Sequence, residues 1–453
     1  YLLTKVYLNS DGEMVQSPGE DKFIAKIIKT TNSEFEALKE NLVRPFKLEK
    51  GRLFRAEIYL TEDKKYLFTD FHHIIADGNS YDIIFEDINK AYCGEKLESE
   101  TYTGFDAALD EEQQMKEGKY KKAEKYYDSI FEGVETESLP LPDVSGKTPE
   151  KGITSRKVNI PEEKIRAYCE KAGVTPNTLF TGLFGILATK YSNSEDSLFA
   201  TIYNGRNDSR LENTVCMLVK TLPVYCAFEE KTTIQTYMAE LSEQLMSSMA
   251  NDIFPFSDIC AKYGVDSNLV FAYQAELSDD YPIGNTIAKG SDLSLDMAKM
   301  PLLIQVREYD HKYILTAEYR SDMYSEAFID GMLEAYEAAM DSTLKTKYIS
   351  EISVLSKNAE NKIAEFNHTD CEYDRTQTIR DMFGEMVQAI PDQTAVVFRD
   401  KKITYRELDT MSDRLGTYIA SLGIGAEDVV SILIPRCEYM AIAPMGVVKA
   451  GAA

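Results

Sequence analysis

Phe71-His72-His73-Ile74-Ile75-Ala76-Asp77-Gly78 is the stretch on which the fold of this chain turns. It closes an apolar run at 65–73 that reads as a strand, preceded by a strand at 53–60 and a polar turn at 61–64. A helical stripe follows over 80–92, with Tyr81, Ile84, Ile88 and Ala91 in register. The adjacent histidines therefore fall between a strand and a helix, in a chain whose other histidines are His311 and His368. Neighbours on a strand face opposite ways, so one of His72 and His73 can face a cleft while the other is held inside. A neutral imidazole, with an ordinary pKa near ~6.5, accepts or positions an amine proton at neutral pH. Gly78 permits backbone angles or a close approach that a side chain would forbid. Each feature has a plainer reading: a strand-end histidine is commonly a hydrogen-bonded structural residue, and Asp-Gly is a common turn. A metal pair is disfavoured, since strand neighbours diverge and no further His or Cys cluster supplies ligands.

Composition narrows the class. The 453 residues are 44% hydrophobic and 28% charged, which fits a soluble globular protein of several folding units. No run of 18 apolar residues occurs and no basic-then-apolar leader opens the chain, so neither a membrane span nor a signal peptide is expected. A formal charge of −25 argues against nucleic acid as a partner. Seven scattered cysteines without a C-x-x-C pair predict reduced thiols and a cytoplasmic location.

Outward from the histidines, strands are expected at 5–8 and 23–29 around an Asp11-Gly12 turn, then a helix at 33–42 capped by Ser33. A helix at 120–131 precedes a Pro-, Gly- and charge-rich stretch at 132–152 that reads as a crossing between two lobes. Helices follow at 161–172 and 175–191, the second opened by Thr175 and Pro176 and apolar nearly all round, hence buried against a sheet. Strands are expected at 197–203, 214–224, 268–273, 302–308 and 313–319, with a helix at 325–342. Residues 356–378 are polar and read as irregular. Beyond them come a helix at 379–389, a hairpin of 395–399 with 402–404, a helix at 406–422, a buried-type strand at 429–434 and a helix at 439–450. That alternation predicts the start of a parallel α/β domain.

The run from Phe71 to Gly78 resembles the His-His-x-x-x-Asp-Gly motif of the condensation-domain superfamily, and further segments follow in that family's order. Tyr102-Thr103-Gly104-Phe105-Asp106-Ala107 is loosely similar to its Tyr-x-Asp-Phe-Ala motif. Asn204-Gly205-Arg206 and Val215-Cys216-Met217-Leu218-Val219-Lys220-Thr221-Leu222-Pro223 resemble its Gly-Arg and Val-Gly-x-Phe-Val-Asn-Thr-x-Pro segments, with Cys216 in place of Gly and Lys220 in place of Asn. Both departures are expected on one strand, where Lys220 would either alter donor preference or, in the favoured reading, point to solvent. Asp252-Ile253-Phe254-Pro255-Phe256 and Phe271-Ala272-Tyr273-Gln274 are similar to the later motifs.

The resemblance implies an α/β fold of two chloramphenicol acetyltransferase-like lobes in a V-shaped pseudo-dimer, and peptide-bond formation in a nonribosomal peptide synthetase. Donor and acceptor would arrive as thioesters on the phosphopantetheine arms of two peptidyl carrier protein domains. His73 would be catalytic, His72, Asp77, Gly78 and Arg206 would support the motif, and Asp77 would pair with Arg206, with Arg210 the neighbouring candidate. The Gly78 N–H would donate to the developing oxyanion. The condensation domain would bind no cofactor or metal of its own.

Ile403-Thr404-Tyr405-Arg406-Glu407-Leu408 and Val448-Lys449-Ala450-Gly451-Ala452-Ala453 resemble the first two core motifs of adenylate-forming enzymes. The implied layout is a condensation domain lacking its N-terminal start, with an N-lobe at 1–135 and a C-lobe at 136–355, a linker at 356–378, and a truncated α/β adenylation-domain start at 379–453. ATP and Mg would be used only by a complete adenylation domain. The other readings are an epimerisation domain or stand-alone acyltransferase of the same superfamily, and an inactive docking platform for carrier proteins. The adenylation segment and the Val219–Pro223 pattern disfavour the first two, and the intact motif disfavours the third.

Overall fold

The structure is a computed structural model that describes residues 2–19, 22–49, 52–229, 231–266, 268–274, 280–291, 293 and 297–453. They form two compact units, Tyr1–Ile363 and Ala364–Ala453. No helix among the described residues is long and apolar enough to cross a membrane.

The first unit opens with an antiparallel hairpin of β1 (Lys5–Leu8) and β2 (Met14–Ser17). The partner of β1 is thus 14–17 and not 23–29. The Asn9 side chain gathers the N–H groups of Asp11 and Glu13, and Gly12 takes φ +80° to close the turn. A three-stranded sheet follows, with β3 (Lys26–Lys29) parallel to β4 (Phe54–Leu60) and β4 antiparallel to β5 (Lys65–Phe71). Between β3 and β4 lies α1 (Asn32–Lys39), capped by Thr31 and not Ser33: a reciprocal Thr31–Glu34 box satisfies both N–H groups. Then come α2 (Gly78–Tyr92), α3 (Gly104–Lys116) and α4 (Lys119–Phe131). The sequence reading missed α3 because its acidic face leaves no apolar stripe.

The second sheet has six strands in the order β6-β13-β12-β9-β7-β8. In chain order these elements are β6 (Lys151–Lys157), α5 (Glu162–Ala172), α6 (Pro176–Ser192), β7 (Asp196–Tyr203), β8 (Lys220–Ala227), α7 (Ile234–Ala250), α8 (Phe256–Tyr263) and β9 (Leu269–Gln274). A small hairpin of β10 (Asp280–Ile283) and β11 (Thr286–Lys289) intervenes before β12 (Leu302–Tyr309), β13 (Lys312–Arg320) and α9 (Glu326–Thr343). Strand β6 escaped the sequence reading because an exposed edge strand with a Lys-Gly-Ile-Thr-Ser-Arg-Lys sequence shows no apolar alternation. The strand expected at 214–224 begins only at Lys220, so Cys216 precedes it.

The core of this sheet is built on α6, whose residues from Thr178 to Thr189 are all buried, as its all-round apolar sequence predicts. A methyl at Gly185 would lie 2.6 Å from Cys226 Sγ and 2.8 Å from the Tyr237 hydroxyl, so α6 can pack this closely on β8 and α7 only through glycine.

Within 356–378, expected to be irregular, residues Lys357–Phe366 form α10. Its apolar residues Ile363 and Phe366 stay exposed, so burial does not specify it. The second unit holds α11 (Ile379–Ala389), the hairpin of β14 (Thr394–Phe398) and β15 (Lys401–Thr404), α12 (Tyr405–Ser421) and α13 (Tyr439–Lys449). Lys449 is nearly buried, with Nζ 2.5 Å from Asp409 Oδ1 and 2.6 Å from Asp413 Oδ1, clamping α13 to α12. Residues 429–434 form no strand, and Val429 and Leu433 stand exposed. A strand needs a neighbour hydrogen-bonded along its length, and the backbone bonds this segment makes are confined to its start, where Val430 N–H donates to Ala453 O at 2.7 Å and Ala453 N–H to Asp428 O at 2.9 Å.

Candidate active site

The ladder of β4 and β5 ends at the Phe54–Phe71 pair, so His72 and His73 sit in the turn that follows and not on the strand. The expected alternation of faces therefore does not apply; hydrogen bonds separate the two rings instead. The backbone is pinned by His72 N–H to Leu53 O at 2.7 Å and Ile75 N–H to His72 O at 3.0 Å. Ile75 and Ala76 are buried and anchor the turn in the core that also holds Val6, Leu53 and Phe54.

His72 Nδ1 accepts the Ile74 N–H at 3.1 Å, and its ring packs edge-on against Phe46. His73 Nδ1 lies 2.9 Å from the carbonyl of Ala76. A carbonyl only accepts, so the neutral His73 ring carries its proton on Nδ1 and presents Nε2 with a free lone pair. His72 is the reverse, with its lone pair on Nδ1 already used. His73 is exposed and His72 half-buried. Only His73 can offer a basic nitrogen to a substrate without breaking an internal bond.

Asp77 is fully buried and caps α2, which starts two residues earlier than its apolar stripe suggests. Oδ1 accepts the Ser80 N–H at 2.9 Å and the Ser80 hydroxyl at 2.8 Å. The same carboxylate meets Arg206 Nη2 at 3.1 Å through Oδ1 and accepts the Leu218 N–H at 3.0 Å through Oδ2. Arg206 has a side chain 6% exposed, and its Nη1 donates to the carbonyls of Leu211 and Thr214. Its Nε is buried without a partner among the described residues. Arg210, the other candidate, is 53% exposed and pairs with Asp208 and Asp110 instead.

Residues 204–220 thus form a strap from the second sheet across α2 and α3. Besides the Asp77 bonds, Ser80 Oγ lies 3.0 Å from the Cys216 carbonyl, and Thr214 Oγ1 lies 3.0 Å from the carbonyl of Tyr102. Gly205 has φ +68°, and a Cβ there would fall 1.9 Å from the Leu218 carbonyl oxygen, so the strap can double back only through glycine. Cys216 is buried, and desolvation pushes its thiol up to about 12. Lys220 does not point free into solvent: its Nζ reaches Glu111 of α3 at 2.9 Å and Asp252 at 3.5 Å. Burial raises the Asp252 carboxyl above its ordinary range, and Lys220 opposes that shift.

Gly78 takes the first helical position of α2 with no positive φ, and a Cβ there would meet nothing within 4 Å. Its value is openness, not backbone strain. Its N–H is among the first-turn donors that a helix leaves unpaired. Ser80, the Leu218 N–H and the Ala76 carbonyl were missed in the sequence. Asp77-x-x-Ser80 is a capping pattern that could have revealed the first of these. Among the described residues no group of three or more His, Cys, Asp or Glu is placed to hold a metal ion.

A family model described as condensation domain matches residues 6–364, and one described as AMP-binding enzyme matches residues 383–453. Bacitracin synthase 3 of Bacillus licheniformis is 24% identical over 99% of this chain and 7% of its own length. Surfactin synthase subunit 1 of Bacillus subtilis (strain 168) is 26% identical over 95% of this chain and 12% of its own length. The chain therefore spans about a tenth of these relatives. A four-domain nonribosomal peptide synthetase bound to AMP and glycine superposes with a TM-score of 0.72 at 16% identity, covering 100% of this chain and 37% of that one. The epimerization domain from the third module of tyrocidine synthetase B gives 0.63 at 16% identity, covering 76% of this chain and 85% of that one.

Proposed function

This chain belongs to the condensation-domain family, whose members in nonribosomal peptide synthetases are acyltransferase-type enzymes that form amides, and from that premise we propose that it makes a peptide bond between two carrier-bound substrates. The donor is an acyl or peptidyl thioester and the acceptor an aminoacyl thioester, each on the phosphopantetheine arm of a carrier domain. The observation that carries the reading is the exposed His73 residue, whose Nδ1 is held by the Ala76 carbonyl so that Nε2 is left as the acceptor. Nε2 receives a hydrogen bond from the attacking amine and orients its lone pair. The C–N bond forms as the carbonyl electron pair moves to oxygen. Collapse of that oxyanion expels sulfur, and the proton lost by nitrogen ends on the departing thiolate. The Gly78 N–H is the candidate donor to the oxyanion, while Asp77 and Arg206 hold the turn and take no part in proton transfer.

The layout we propose keeps the lobes at 1–135 and 136–355, the linker at 356–378 and an adenylation segment at 379–453. Residues 379–453 contain no run rich in both glycine and Ser/Thr, so no nucleotide step is assigned to them. Fold likeness alone does not choose condensation over epimerisation; the AMP-binding match that follows in the same chain favours condensation. The test loads donor and acceptor onto separate carriers, adds the intact protein, and follows the acceptor carrier by mass spectrometry and, after hydrolytic release of its amino acid, by chiral chromatography. A new amide is expected. An acceptor inverted at its α-carbon with no amide would turn the assignment to epimerisation, and neither product would leave only a docking role.

A further inference from the structure

The lysines of α4 stand out against the charge of the molecule. Residues 116–125 hold five lysines and two glutamates in a chain of net charge −25. Helix α4 buries Ala123, Tyr127 and Phe131. At 100° per residue, Lys121, Lys122 and Lys125 fall within one sector on the opposite side of the helix. All three are exposed, and none has an ion pair or a side-chain hydrogen bond among the described residues. The flanks are already engaged: Glu124 and Asp128 are held by Lys262 at 2.7 Å, and Lys116 by Glu112. Lys121 and Lys125 sit at i and i+4, where like charges weaken a helix. No local ion pair offsets that repulsion among the described residues.

The buried side of the same helix is linked to the site by packing. Tyr127 and Ala123 pack with Ile253 and Phe254. These follow Asp252, which meets Lys220 on β8, two residues beyond the Leu218 that binds Asp77.

We propose that Lys121, Lys122 and Lys125 form the docking face for a carrier domain that presents an acidic helix. This rests on the condensation reading and supplies the surface that one of its two carriers would use. The argument for the occupant is charge complementarity. The net charge of −25 works against extended polyanions such as nucleic acid, so a compact acidic domain that meets this sector alone is the favoured partner. Exposed charges of this kind act on encounter and are weakened by salt.

The experiment compares the intact protein with its K121E/K122E/K125E variant in two assays of amide formation. In the first, both substrates are carrier-bound. In the second, each carrier in turn is replaced by a soluble pantetheine thioester, which needs no docking face. We expect KM for one loaded carrier to rise ~10-fold or more in the variant, with kcat nearly kept and with the wild-type loss of affinity in high salt abolished. Turnover of the soluble thioester in place of that carrier should match wild type. Unchanged KM for both carriers overturns the proposal while leaving the condensation reading intact. Failure of the wild type on soluble and carrier-bound substrates alike overturns that reading, and with it this one. Binding of the wild type to phosphatidylserine vesicles, lost in the variant while KM for carriers is unchanged, would assign the face to a membrane surface instead.

Discussion

The backbone N–H of Leu218 donates to Asp77 Oδ2 at 3.0 Å, joining residues 141 positions apart in sequence. The other carboxylate oxygen starts a helix and faces a guanidinium. One buried side chain therefore fixes the histidine turn, the first turn of α2 and the strap of the second sheet.

Removing that carboxylate leaves Arg206 buried and unpaired. Asp77→Ala should cost roughly 3–5 kcal/mol of stability, read by urea unfolding, and should also abolish amide formation. Asp77→Asn keeps the capping acceptor and should be intermediate. A loss below ~1 kcal/mol in Asp77→Ala would show that the pair does not hold the turn.

The two histidines should separate by readout. His73→Ala is expected to lower kcat at least ~10²-fold with the unfolding midpoint nearly unchanged, the scale of a lost positioned proton acceptor. His72→Ala removes the acceptor of the Ile74 N–H and the Phe46 contact, so it should lower stability by about 1 kcal/mol or more. The reverse pattern would exchange their roles.

Gly205→Ala tests the doubling-back of the strap. The φ of +68° alone costs a side chain about 1–3 kcal/mol, and the 1.9 Å approach to Leu218 O adds a backbone clash. We expect a fall in melting temperature with activity lost more steeply than stability, because Leu218 must shift off Asp77. Wild-type activity in this variant would show that the strap does not set the site.

Thiol labelling reports on the same strap without mutation. With its thiol pushed up to about 12 by burial, Cys216 stays in the unreactive thiol form at pH 8. Iodoacetamide at pH 8 should modify the exposed Cys93 and Cys371 and leave Cys216 untouched until the protein unfolds. Rapid labelling of Cys216 in the native protein, mapped by mass spectrometry, would mean that the strap opens freely.

Much of this was legible in residues that signal strongly. The all-apolar helix 175–191 announces its own burial, and the His-His-x-x-x-Asp-Gly run marks the segment, although both histidines read as strand residues and lie beyond the end of the ladder. The Asp77–Arg206 pair was expected and the two groups do meet. What escaped was specified by partners far away in the chain. Strand β6 carries no alternation because it lies at a sheet edge, and the start of β8 at Lys220 is set by its pairing with Tyr203. Lys220 itself reads as a solvated residue until Glu111 and Asp252 are brought beside it by folding. The opposite proton placement on His72 and His73 depends on backbone geometry that no side-chain pattern encodes.

The distance in sequence between Asp77 and its anchors also sets a clock. A ribosome adding ~5–20 residues per second needs roughly 7–28 s to travel from Asp77 to Leu218, which lie 141 positions apart. For that interval the nascent first sheet carries its histidines with an acidic group that has neither its arginine nor its amide donor. The reactive turn is thus finished only once the strap has followed it out of the ribosome, and a truncated product ending before the strap would emerge with the motif intact in sequence but unassembled in space.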